Sequence, residues 1–139
     1  MRLFIALAAL LLVPVCALAD AKADLARIDA ALDKCVNADS SNAGMKQCTW
    51  VAYRDADKLL NSVYQRASKS WIGDDSSAPE RKKRLVAAQR AWVAFRDADC
   101  SLQATEMLGG TGEGLVEGGC LYKATADRAK QIEELMTAN

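Results

Sequence analysis

Trp50-Val51-Ala52-Tyr53-Arg54-Asp55-Ala56-Asp57 and Trp92-Val93-Ala94-Phe95-Arg96-Asp97-Ala98-Asp99 are one octad written twice, with a single exchange of Tyr53 for Phe95. The reading of this string decides the fold. Placed on a helix at about 100° per residue, Trp92, Phe95, Arg96 and Asp99 share one face, with Leu85, Ala88 and Gln89 behind them. Trp50, Tyr53, Arg54 and Asp57 do the same, with Gln47 behind and Asn61 and Tyr64 ahead. Identity fades outside the octads, so the repeat does not divide the chain into two domains.

The flanking sequence extends this helical reading. Leu25, Ile28, Leu32 and Cys35 or Val36 recur at helical spacing and predict a first helix from about Asp20 to Ala38, stopped by Asp39-Ser40-Ser41-Asn42. The first octad lies in a second helix from about Met45 to Trp71. After Gly73 and a polar linker, Ser77-Ala78-Pro79-Glu80 has the form of a capping box and opens a third helix, which carries the second octad to about Met107. Gly109-Gly110-Thr111-Gly112 breaks it. A fourth helix carries Leu121, Ala124, Ile132 and Leu135. No strand pattern is found, so the expected fold is all-α, an up-down bundle of about four helices in which sequential neighbours are antiparallel.

The first 19 residues read as a leader rather than as part of the bundle. Met1-Arg2, an apolar run of about 13 residues from Leu3 to Val15, and Ala17-Leu18-Ala19 make a secretory signal peptide. The run is shorter than the roughly 20 apolar residues that a membrane-spanning helix takes. Pro14-Val15 before Cys16 lacks the small residue of a lipid-attachment site, so cleavage is expected after Ala19. That leaves a single domain, 20–139, in the periplasm or outside the cell, with no stable membrane insertion.

Removal of Arg2 turns the balanced 18 basic and 18 acidic residues into a formal charge of −1, which excludes the basic footprint of nucleic-acid binding. Cys35, Cys48, Cys100 and Cys120 remain. An even number of cysteines in an exported small domain predicts two disulfides, and with no His and no C-x-x-C in the chain a metal site is disfavoured. In an up-down bundle all four cysteines lie near one end, so all three pairings are geometrically open. Cys35 with Cys48 and Cys100 with Cys120 is the expected set, because each closes a hairpin between adjacent helices.

The charged residues of the octads admit two readings. In one, Trp50, Arg54, Asp57, Asn61, Tyr64, Gln89, Trp92, Arg96 and Asp99 form an interior polar and aromatic network, with Arg54 paired to Asp57 and Arg96 to Asp99 at the i, i+3 spacing. In the other, the polar members line a pocket. Asp55 and Asp97 are expected to point away, and the D-x-D spacing, about 200° apart, cannot chelate one metal ion from one face. Enzyme chemistry is poorly supplied. No His serves as a base, the cysteines are oxidised, and Asp57 or Asp99 beside an Arg would stay ionised rather than act as a general acid. No cofactor is implied.

Cys48, Asp57-x-x-Leu60-Asn61-x-x-Tyr64, Gln89-x-x-Trp92-x-x-x-Arg96-Asp97-x-x-Cys100, Gly109-Gly110, Cys120, Thr125 and Arg128 resemble the N-terminal domain of the LprI-like lysozyme-inhibitor family over nearly the whole chain after the leader. The resemblance implies a small helical, disulfide-bonded protein of the bacterial envelope and, as activity, inhibition of lysozyme. An inhibitor of a cationic enzyme with an acidic cleft needs negative surface for approach and a protruding element. Thr105 to Gly119 reads as an exposed, Gly-rich acidic loop, with Glu106, Glu113 and Glu117 as candidate partner-binding residues and Glu113 best placed to reach outward. The same composition also suits a connector without a partner.

Overall fold

The computed structural model describes residues 20–70 and 76–137. The leader, Cys16, the expected end of the second helix at Trp71 and the Gly73 linker lie outside the described residues. Four helices follow in order: α1 (Ala21–Ala38), α2 (Asn42–Ser70), α3 (Ala78–Ala104) and α4 (Glu113–Thr137), with a 3-10 turn (Thr105–Met107) after α3. The structure is all-α, as expected.

The helix ends show where local chemistry governs. Asp20 caps α1 by accepting the Lys22 N–H, and Glu133 of α4 accepts the Ala21 N–H at 2.9 Å. α2 begins at Asn42, three residues before Met45, because the Ser41 hydroxyl accepts the Gly44 N–H at 3.0 Å and so caps the helix earlier. A Cβ at Gly44 would displace the Asp39 carboxylate, which accepts the Ser41 N–H at 3.0 Å. The capping box expected at Ser77 does not form. Ser77 has helical backbone angles and makes no side-chain cap bond, while Glu80 accepts from Arg84 at 2.9 Å, four residues on.

α4 starts at Glu113, well before the first apolar residue of its predicted stripe, which corrects the expectation of a loop as far as Gly119. Gly114, Gly118 and Gly119 lower helix propensity and read as breakers. Here Gly118 permits close packing, since a Cβ on it would meet Thr49 and Trp50 at 2.9 Å, whereas one on Gly114 would meet only the flexible end of Lys46.

α2 and α4 form the central pair and make the largest interface in the bundle. They run parallel, since Trp50 meets Gly114 at one end and Arg66 meets Glu133 at the other. α1 lies antiparallel along both, and α3 lies antiparallel along α4, reaching α2 through Arg96. The core holds Leu25 of α1, Ala52, Ala56, Leu59, Leu60 and Val63 of α2, Leu85 of α3, and Tyr122, Ala126, Ala129 and Ile132 of α4. The Tyr122 hydroxyl donates to Asp29 of α1, and burial, with that neighbouring carboxylate, pushes its pKa far above the ordinary phenol range.

Cys35 is joined to Cys48 and Cys100 to Cys120, with Cα separations of 5.8 and 5.4 Å. Each bond closes one helical hairpin, and both sit at the same end of the bundle. No described helix is long and apolar enough to cross a membrane.

Candidate functional site

The two octads occupy different environments. In α2 the buried positions are Ala52 and Ala56, which face the core, so Arg54, about 200° from each, is directed to solvent. In α3 the buried position is Arg96, only 6% exposed, while Ala94 and Ala98 face outward and Phe95 is 67% exposed. The second octad is therefore seated about half a turn away from the first.

Arg96 organises a cluster in which α2, α3 and α4 meet. Its Nη1 donates to Thr125 Oγ1 at 3.2 Å. Its Nε and Nη2 lie 2.9 and 2.8 Å from Asp97 Oδ1, and Nη1 lies 3.7 Å from Asp57 Oδ1. The guanidinium is 5.4 Å from the Tyr53 ring centre and 5.0 Å from that of Trp92, so two aromatic rings and two carboxylates enclose one cation. Burial raises the Tyr53 pKa, against the opposing pull of Arg96. Arg128 adds a second cation to Trp92 at 5.7 Å and donates to Gln89 Oε1 at 3.0 Å, and burial lowers its own pKa.

The expected i, i+3 pairs are not those the structure makes. Arg96 pairs with Asp97 and Asp57, and Asp99 accepts instead from Gln103 at 2.8 Å. A long helical side chain leans toward the N-terminus, away from a residue one turn ahead, which takes Asp99 out of reach. Asp97, expected to point away, is the closest carboxylate to Arg96. Asp57 accepts from Asn61 at 3.1 Å and faces Arg96 rather than Arg54. Of the network residues, Trp50, Asp57, Tyr64, Gln89, Trp92 and Asp99 are half-buried, whereas Arg54 and Asn61 are exposed. Gln47, Ala88 and Phe95 are exposed as well. Thr125 and Arg128 entered the sequence reading only as residues of the family resemblance, without a role; the structure makes them partners of Arg96 and Trp92.

Trp50 has a separate role. Its indole N–H donates to the Gly114 carbonyl at 2.8 Å, and its ring packs edge-on to Tyr53. This fixes the start of α4 against α2 and leads to the tip of the molecule, residues 105–112. Ties of several kinds hold that tip. The Cys100–Cys120 bond closes its base, and Asn42 donates to Thr111 Oγ1 at 3.0 Å. The Gly109 N–H donates to Glu113 Oε2 at 2.9 Å, and the Gly110 N–H to the Met107 carbonyl at 2.8 Å. Gly109 adopts φ 73°, in the left-handed region that glycine tolerates.

Leu108 is 74% exposed at the tip, with Met107 half-exposed beside it. Glu106 is exposed, whereas Glu113 and Glu117 lie half-buried on the first turns of α4. The carboxylate of Glu113 is turned back to Gly109, so it braces the turn instead of reaching outward. The resulting element is a rigid turn with an apolar point and an acidic shoulder.

The family model described as "Lysozyme inhibitor LprI" matches residues 33–132. A protein from Rhizobium meliloti (strain 1021), described as uncharacterized protein R02472, is 33% identical over 103 residues, which cover 69% of this chain and 74% of that one. No solved structure shows significant similarity.

Proposed function

The chain belongs to the LprI lysozyme inhibitor family, and from that premise we propose that it is an exported envelope protein that binds a lysozyme and inhibits it through the braced tip. The observation that carries this reading is the pinned turn itself. A protruding apolar residue on a backbone held by a disulfide and three hydrogen bonds loses little conformational entropy when it enters a concave cleft. Leu108 and Met107 supply the apolar contact, and Glu106, backed by Glu113 and Glu117, supplies the negative field that draws a cationic partner.

Export is supported by the two disulfides, which persist in oxidising compartments, and by the leader-like residues 1–19. On this reading residues 20–139 act as one domain, by binding and without catalysis. The non-catalytic reading is supported by the engagement of Asp57 with Arg96 and Asn61 and of Asp99 with Gln103.

The test is lysis of a cell-wall suspension by a panel of lysozymes, with and without the purified mature protein, alongside direct affinity measurement. The parent is expected to slow lysis, and Leu108→Asp to weaken binding about tenfold or more. Glu106→Gln should slow association at low salt and have little effect at high salt. Binding without inhibition would replace this reading with that of a non-inhibitory envelope adaptor or immunity protein. Absence of both, or inhibition unmoved by Leu108→Asp, would overturn the role of the tip.

A further inference from the structure

α3 is the least amphipathic of the four helices, and the reason lies in its exposed side. Its inner face packs Leu85, Trp92, Arg96 and Cys100 toward the bundle. Its outer face also carries an apolar stripe at helical spacing: Ala87, Ala91, Ala94, Phe95, Ala98 and Leu102, all exposed, with Phe95 and Leu102 each 67% exposed. We propose that this face is a homodimer interface on which a second copy of the chain packs α3 against α3 in antiparallel fashion.

Two observations select a second copy as the occupant. The first is internal precedent. Ala52 and Ala56 of the first octad are buried in helix packing, and the same two octad positions, Ala94 and Ala98, form the centre of the exposed stripe. The local sequence that accommodates a neighbouring helix in α2 is thus presented outward in α3.

The second is the distribution of charge. Arg81, Lys82, Lys83, Arg84 and Arg90 lie in the first half of α3, against Glu80 alone, whereas the second half carries Asp97 and Asp99 on its surface against Arg96, which is buried and paired with Asp97 from within. A two-fold interface requires one surface to complement itself, and a helix with a basic half and an acidic half does so when it meets its own copy antiparallel. With the two-fold axis near Ala94, Arg90 comes opposite Asp97 of the second copy on the same flank. Phe95 then enters the space above Ala88 and Ala91 of the second copy, where small side chains let the helices approach to about 8 to 10 Å.

Sedimentation of the purified mature protein over a concentration series is expected to show a reversible monomer–dimer equilibrium that weakens with salt. Phe95→Glu and Ala98→Glu should each raise the dissociation constant about tenfold or more while leaving helicity and lysozyme affinity unchanged, which separates this proposal from the function of the tip. The four described cysteines are already bonded, so a single new thiol reports proximity. Ala94→Cys should form a covalent dimer on mild oxidation. Ala87→Cys, on the same stripe but about 20 Å from its mate by helix rise, should not. A monomer at every concentration, a dimer indifferent to Phe95→Glu, or equal cross-linking at both positions would overturn the proposal.

Discussion

The two octads share seven of eight letters and do different work. In α2 the alanines are core, the arginine is solvated, and the tryptophan anchors a neighbouring helix through one hydrogen bond. In α3 the alanines are surface, the arginine is buried between two rings, and the tryptophan lies under two cations. A helix carries several stripes at once, and eight residues do not specify which of them faces inward. That is set by the rest of the helix and its neighbours: Leu59, Leu60 and Val63 orient α2, whereas Leu85 and the Cys100 bond orient α3.

Two matched pairs of substitutions and two single ones test this contrast. The largest difference is expected between Ala56→Glu and Ala98→Glu, the same octad position. Ala56 is fully buried, so a carboxylate there should cost about 5 kcal/mol and leave little folded protein, while Ala98→Glu should stay within about 0.5 kcal/mol when measured at dilute concentration. Chemical denaturation followed by circular dichroism decides the matter, and equal effects would remove the half-turn difference.

Next come the arginines. Arg96→Ala removes a buried side chain, a hydrogen bond to Thr125 and contact with two rings, for an expected loss of about 3 kcal/mol. Asp57 and Asp97 are each about half exposed, so their charges can rehydrate, which keeps the loss below that of a fully orphaned buried charge. Arg54→Ala should fall within about 0.5 kcal/mol. Comparable effects at the two sites would show that Arg96 is a surface residue in solution.

A smaller effect is expected at Trp50→Phe, which keeps most of the packing but removes the bond to Gly114, at about 1 kcal/mol. Hydrogen exchange should show the loss concentrated at the start of α4. The smallest is Phe95→Tyr, which makes the two octads identical. Phe95 is exposed in the monomer, so thermal unfolding at dilute concentration should be unchanged within about 0.5 kcal/mol. A substantial change would mean that Phe95 is covered in the monomer.

Tyr122 adds a test from pH. Its folded pKa is raised above the ordinary value of 10.0, so the neutral hydroxyl is the form that folding favours. Its contribution is therefore fully present below about pH 10 and is lost as pH rises beyond it. Tyr122→Phe should flatten the stability profile above pH 10, and an unchanged alkaline slope would count against this coupling.

These contrasts indicate what was legible in the sequence. Helix number, helix type and the hairpin cysteine pairs followed from apolar periodicity and from cysteines placed at helix ends. The octad face did not, because Trp-x-x-Tyr/Phe-Arg and Ala-x-x-x-Ala are both plausible inner stripes. The start of α4 was also hidden. Gly114 and Gly118 have poor intrinsic propensity, and the benefit of Gly118, close contact with Thr49 and Trp50, exists only once α2 and α4 are side by side. Glu113 was misplaced for the same reason: on a loop it would reach outward, whereas on the first turn of a helix it folds back to Gly109.

Both disulfides sit at the end of the bundle that carries the tip, while the opposite end is held by non-covalent ties such as Arg66 with Glu133 and Glu133 with the Ala21 amide. The molecule therefore resembles a clasp hinged at one end. Breathing motions should begin where Ala21, Arg66 and Glu133 meet and fade toward the cysteines, so amide protection should rise along α2 from Ser70 to Cys48. The tip would then remain ordered through partial openings that loosen the far end, and a partner seated on it would register little of that motion.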